Sequence, residues 1–161
     1  MKLSEHLDLS EVTRSESAKR KGIANNPTAE HLENFKRLAE HVFEPIRNHF
    51  GVPIHISSGY RSKELNKAVG GSSTSDHCYG RAIDIDMDGS SSDVSNNDVF
   101  HFIKDNLKFK QLIAEFPEAG KLGWVHVAYG DGLNNNQILV ATKKAGKTVY
   151  LPYKGNEKLV S

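Results

Sequence analysis

Between residues 32 and 50 the apolar side chains recur at intervals of three and four, and from residue 81 onward they recur at intervals of two. This change of period constrains the fold most, because the first pattern suits a helix and the second a strand with one buried face. Leu32, Phe35, Leu38, Ala39, Val42, Phe43, Ile46 and Phe50 make one helical stripe. Asn26 is placed to cap that helix, Pro27 suits its first position, and Gly51 ends it. Pro45 lies inside the stripe and should kink or interrupt the last turns, since proline lacks the N–H that a helix interior uses. Shorter helices are expected over residues 15–21 (stopped by Gly22), 62–69 and 98–107, the last with Ser95 and Asp98 as a capping box. Strands are expected over residues 52–58, 81–87, 111–116, 124–129, 137–143 and 148–153, with Ala145-Gly146 turning the final hairpin. Helices first and antiparallel strands later give an α+β fold, read as one domain over residues 1–161.

Composition then removes several function classes. Lys and Arg number 21 against 20 Asp and Glu, so a net charge of +1 offers no field for a phosphate backbone, and no nucleic-acid partner is expected. Mean hydropathy is −0.52, and no apolar run approaches the roughly 20 residues that span a bilayer, so membrane insertion is not expected. The chain turns polar at once after Met1, which argues for synthesis in the cytoplasm without a signal peptide. Cys78 is the single cysteine, so an internal disulfide is excluded. Eight histidines against one cysteine mean that any metal site here should use nitrogen and oxygen ligands.

Strand parity gives the first chemistry. On residues 81–88, Ala82, Asp84, Asp86 and Asp88 share one face, and Ile83, Ile85 and Met87 the other. A solvated acidic edge explains Asp86 and Asp88 well enough. On residues 124–129, Trp124, His126 and Ala128 share a face, and His126 taken alone would read as a hydrogen-bonded core residue. His77 changes that reading. It stands in a loop seven residues before Asp84, a spacing that lets it fold back over the next strand, with Gly80 supplying backbone freedom. Two imidazoles and one carboxylate leave a fourth tetrahedral position open, as catalytic rather than structural zinc requires. Cys78, adjacent to His77, is a bystander in this reading.

Ser57-Ser58-Gly59-Tyr60-Arg61-Ser62, Leu65-Asn66, Val69-Gly70-Gly71, Ser75-x-His77-x-x-Gly80-x-Ala82-x-Asp84 and Trp124-Val125-His126 occur in that order. Together they resemble the zinc D-alanyl-D-alanine carboxypeptidases of the lysostaphin, D-Ala-D-Ala peptidase and hedgehog superfamily. The opening, from Leu9-Ser10-Glu11 through Ala18 and Gly22-Ile23-x-Asn25, resembles a small branch common in phages and prophages. The resemblance implies an antiparallel sheet with flanking helices and a metal on the sheet. It implies one zinc per chain on His77, Asp84 and His126, and a catalytic, substrate-gripping arginine at Arg61. The implied reaction is hydrolysis of peptide bonds in the stem peptide of bacterial peptidoglycan, by a terminal carboxypeptidase or a cross-link endopeptidase. A monomer is expected, reaching the wall after holin-type release or as part of a virion.

One departure bears on mechanism. Many members place a glutamate three residues before the last histidine, and this chain has Gly123 there. Parity supplies a substitute, because Gln111, Ile113 and Glu115 share a face of the preceding strand. Glu115 is therefore the expected general base, with Glu118 as its rival. Ser75, Asp76 and Asp86 are candidates for orienting the imidazoles. Ser75 and Tyr60, with Arg61, are expected substrate contacts. The absent glutamate also leaves open a non-catalytic, zinc-containing wall-binding or virion protein on the same scaffold.

Overall fold

The computed structural model describes residues 1–130 and 132–155. Two short helices, α1 (Leu9–Thr13) and α2 (Glu16–Lys21), precede α3 (Ala29–Leu38). Thr28, not Asn26, caps α3: its hydroxyl accepts from His31 N, and His31 Nδ1 accepts from Thr28 N. A threonine beside the first turn offers the oxygen that the orphan N–H groups need, which leaves Asn26 and Pro27 outside the helix. Pro45 acts as its chemistry requires. A π-helical turn over Ala39–Phe43 widens the coil, and α4 (Glu44–Phe50) restarts with the proline in its first turn, where no N–H is needed. Across that junction Phe35, Leu38, Val42, Phe43 and Ile46 all remain buried.

The other elements are β1 (Ile56–Ser58), α5 (Lys63–Ala68), a 3-10 turn (Asp76–Tyr79), β2 (Ala82–Ile85), α6 (Asn96–Asn106), β3 (Gln111–Glu115), β4 (Trp124–Ala128), β5 (Gln137–Lys144) and β6 (Lys147–Pro152). The strands form one six-stranded sheet in the order β1-β2-β4-β3-β5-β6. Neighbours are antiparallel except β3 and β5, which run parallel, so the sheet is mixed rather than wholly antiparallel. The turn between β3 and β4 allows a hairpin, whereas β5 follows β4, lies on the far side of β3 and runs parallel to it. The first strand is shorter than its alternation implied, with only Ile56–Ser58 pairing to β2. β2 ends at Ile85, so Asp86 and Asp88 do not continue the face of Asp84. Ser95 does cap α6, with Asp98 completing the box.

The register sorts the side chains. Asp84 pairs with His126, His126 with Ile113, and Ile113 with Leu139, so these four share one face. Ile83, Ile85, Val125, Val127, Leu112, Ala114 and Val140 occupy the other face, buried with the α3–α4 stripe and with Val99, Phe100 and Ile103 of α6. Helices cover one side of the sheet and leave the other as the floor of a cavity.

Candidate metal centre and its cavity

His77 reaches the sheet because of two close backbone approaches. Gly80, in the left-handed region at φ 69°, ends the 3-10 turn, and a Cβ there would lie 2.3 Å from His31 O. Gly59 passes so close to α1 that a Cβ would meet Val12 O at 2.4 Å. That approach aims the Gly59 carbonyl at His77 Nδ1, 2.6 Å away. A carbonyl only accepts, so Nδ1 carries the proton and Nε2 is left to face the sheet. His77 Nε2 lies 3.2 Å from Asp84 Oδ1, and His126 Nδ1 lies 2.9 Å from the same oxygen. One ligand atom from each of the three residues falls within 4.8 Å of the others.

The donor set fits a cation. Burial holds His77 below its ordinary pKa, against the pull of Asp84, so the ring favours its neutral form. In that form Nε2 and Asp84 Oδ1 both present lone pairs to each other, an arrangement that a divalent ion between them resolves. Burial would raise Asp84, but the two imidazoles outweigh it and hold the carboxyl far below the ordinary carboxylate range. Two nitrogens and one charged oxygen, with no thiolate, match zinc with an open coordination position. Cys78 is buried and takes no place in the cluster.

The cluster opens into a cavity of about 720 Å³, the size of a small-ligand cleft. Glu115 and Arg61 line it together with the three metal-ligand candidates. Glu115 is 7% exposed, and burial with Asp84's charge pushes its carboxyl up to about 7, against the pull of His126 and Arg61. Arg61 lines the cavity, and its Nε is buried with no hydrogen-bond partner among the described residues. Glu118 is exposed in the β3–β4 turn, bridged to Lys121, and does not line the cavity.

The residues expected to orient the imidazoles do other work. Ser75 Oγ accepts from His77 N and caps the 3-10 turn, and Ser75 also lines the cavity. Asp76 binds Lys110 Nζ through both oxygens, at 2.8 and 2.9 Å. Asp86 accepts from Asn96 Nδ2 and Asp88 N. The backbone carbonyl of Gly59 takes the orienting role, and no side-chain pattern announces a carbonyl. Tyr60 is buried beneath the loops with its ring 5.3 Å from His31, and it lines a smaller adjoining cleft rather than the cavity of the metal ligands.

Phe116 is the residue that parity misplaces. It follows Glu115 directly, so a regular strand would send the two side chains to opposite faces. Instead both line the cavity, because Phe116 adopts φ 48° and turns its ring beside Trp124, 5.3 Å away. A left-handed aromatic residue costs roughly 1–2 kcal/mol, a strain that clusters at functional sites. Lys143, Thr148 and Tyr150 of the β5–β6 hairpin also line this end of the cavity.

No curated protein matches the chain closely enough to count as similar. The family model described as Peptidase M15 matches residues 5–128, a span that holds His77, Asp84, Glu115 and His126 and most of the chain. The chain therefore belongs to the peptidase M15 family.

Proposed function

We propose that the protein is a zinc peptidase that hydrolyses peptide bonds of the peptidoglycan stem peptide. The observation that carries this reading is the convergence of His77, Asp84 and His126 in a cavity also lined by Arg61 and a buried glutamate. Those three residues would hold one zinc ion, which when bound supplies Lewis acidity toward a carbonyl oxygen and toward water.

Glu115 takes a proton from the attacking water and delivers it to the leaving amine. Burial raises this carboxyl to about 7 in the metal-free protein, and a cation on the three ligands would draw it back toward its ordinary range, so it is an accessible proton acceptor at neutral pH. Arg61 donates from its guanidinium to the carbonyl oxygen of the scissile bond, where negative charge develops. Ser75, at the rim, contacts the peptide backbone. The β3 position of Glu115 makes the glutamate missing at 123 dispensable, since Gly123 N donates to Glu115 O and the two positions are neighbours in space. The chain acts as one domain and as a monomer, and the resemblance of its opening segment supports a wall-degrading role encoded by a phage or prophage.

Purified protein incubated with zinc and muropeptides tests the reading by mass spectrometry. New peptide termini that disappear on chelation are expected. Stoichiometric zinc without cleavage would instead identify a non-catalytic wall-binding protein.

A further inference from the structure

The family match ends at residue 128, and the lining of the cavity continues past it. Beyond residue 128 the chain adds the β5–β6 hairpin, whose Lys143 lines the cavity beside Phe116. Among the described residues three Lys and Arg side chains line the cavity, and they differ in how they are used. Lys110 is neutralised by both oxygens of Asp76. Arg61 stands beside the metal ligands. Lys143 forms no ion pair among the described residues, yet its head group is held in place twice. Nζ donates to Thr148 Oγ1 at 3.1 Å and sits 5.4 Å from the centre of the Phe116 ring. The strained backbone of Phe116 is what brings that ring to the cavity side.

We propose that Lys143 is a specificity residue that receives a carboxylate of the substrate peptide, set apart from the scissile bond. This rests on the peptidase reading and names the substrate chemistry that it leaves open. Lys143 lies four residues beyond Leu139, which stands two strands across from His126. Four residues of strand span about 13 Å and two strand spacings about 10 Å. These place the Lys143 and His126 backbones roughly 16 Å apart, and with the ammonium held by Thr148 of β6 it is on the order of 10–16 Å from the metal ligands, about three to five residues of extended peptide. Two restraints hold the ammonium, which lowers the entropy lost when it meets an anion. A peptide with an anionic group about three to five residues from the cut bond is thus preferred over the same peptide amidated there.

Trp124, the only tryptophan, lines the same end beside Phe116 and reports occupancy by its fluorescence. The probes are two synthetic stem peptides, L-Ala-γ-D-Glu-L-Lys-D-Ala-D-Ala with the D-Glu α-carboxyl free or amidated, titrated into chelated protein. The wild type is expected to bind the acid about tenfold more tightly than the amide. Lys143→Met should bring the ratio to about one, and Lys143→Arg should restore most of it. Equal affinity of the wild type for both peptides, or absence of binding by either, would overturn the proposal. So would a ratio unmoved in Lys143→Met. Cleavage of the same pair with zinc present separates the two readings. Discrimination in binding with neither peptide cut leaves Lys143 in its role and refutes the peptidase. Both peptides cut at equal rates does the reverse.

Discussion

The two faces of the sheet carry opposite chemistries on the same strands. One face of β2, β4 and β3 presents Ile83, Ile85, Val125, Val127, Leu112 and Ala114, all shielded from solvent by the helices. The other presents Asp84, His126 and Glu115 to a cavity. Backbone pairing is common to both, so the core face fixes the register that brings the reactive face into alignment. A residue slip would exchange them, placing carboxylates in the core and valines at the metal site. Rigidity of the site therefore comes from packing on the side where no chemistry occurs.

That contrast can be broken from each face. The largest effect is expected for His126→Ala, which should abolish both stoichiometric zinc and peptide cleavage while far-UV circular dichroism stays that of the wild type. Glu115→Gln keeps the shape and removes the titratable group. It should retain zinc and lose roughly a hundred- to ten-thousandfold in turnover. Undiminished turnover in that variant would move the proton transfer to another acid. From the core face, Leu112→Ala should cost about 2–5 kcal/mol in denaturant unfolding without lowering zinc stoichiometry in the folded protein. Arg61→Ala should keep zinc and lose about a hundredfold in turnover, the scale of one lost donor to a developing oxyanion. Parallel loss of zinc and turnover would assign Arg61 to folding instead.

The smallest expected effect is a pH dependence. Burial raises the Glu115 carboxyl from 4.5 to about 7 in the folded, metal-free protein. The folded state then binds more protons than the unfolded state between those values, so this contribution is full below about 4.5 and is lost as pH rises through about 7. Glu115→Gln removes the loss. It should stabilise chelated protein by on the order of 1–3 kcal/mol at pH 8 and much less at pH 4. Asp84 acts in the opposite sense. Its lowered carboxyl contributes stability above the ordinary carboxylate range that is lost as pH falls below it.

Much of this site is legible in the sequence, because strand parity is a local property. Alternation alone places Asp84 and His126 on one face of their strands, and Glu115 on the same face as Ile113. The spacing of His77 to Asp84 allows the fold-back that Gly59 and Gly80 make sterically possible. What stays hidden depends on neighbours distant in sequence. Nothing in residues 137–144 says that they lie parallel to β3, so the sequence does not assign Lys143 to the cavity. Phe116 escapes because its positive φ breaks the alternation on which parity depends. The orienting partner of His77 is a backbone oxygen, and Asp76 is engaged by Lys110 from 34 residues away. Thr28 displaces Asn26 as helix cap through a two-residue shift that the apolar stripe does not sense.

That the polar face of this sheet is a working zinc site, and not a sheltered ion pair, is tested most directly by mass spectrometry of purified muropeptides. They are incubated with zinc-loaded, chelated and His126→Ala protein in parallel. New amine and carboxyl termini are expected with the loaded wild type alone, and with chelated protein once zinc is returned. Intact muropeptides with loaded wild type, or equal cleavage by all three, would contradict it.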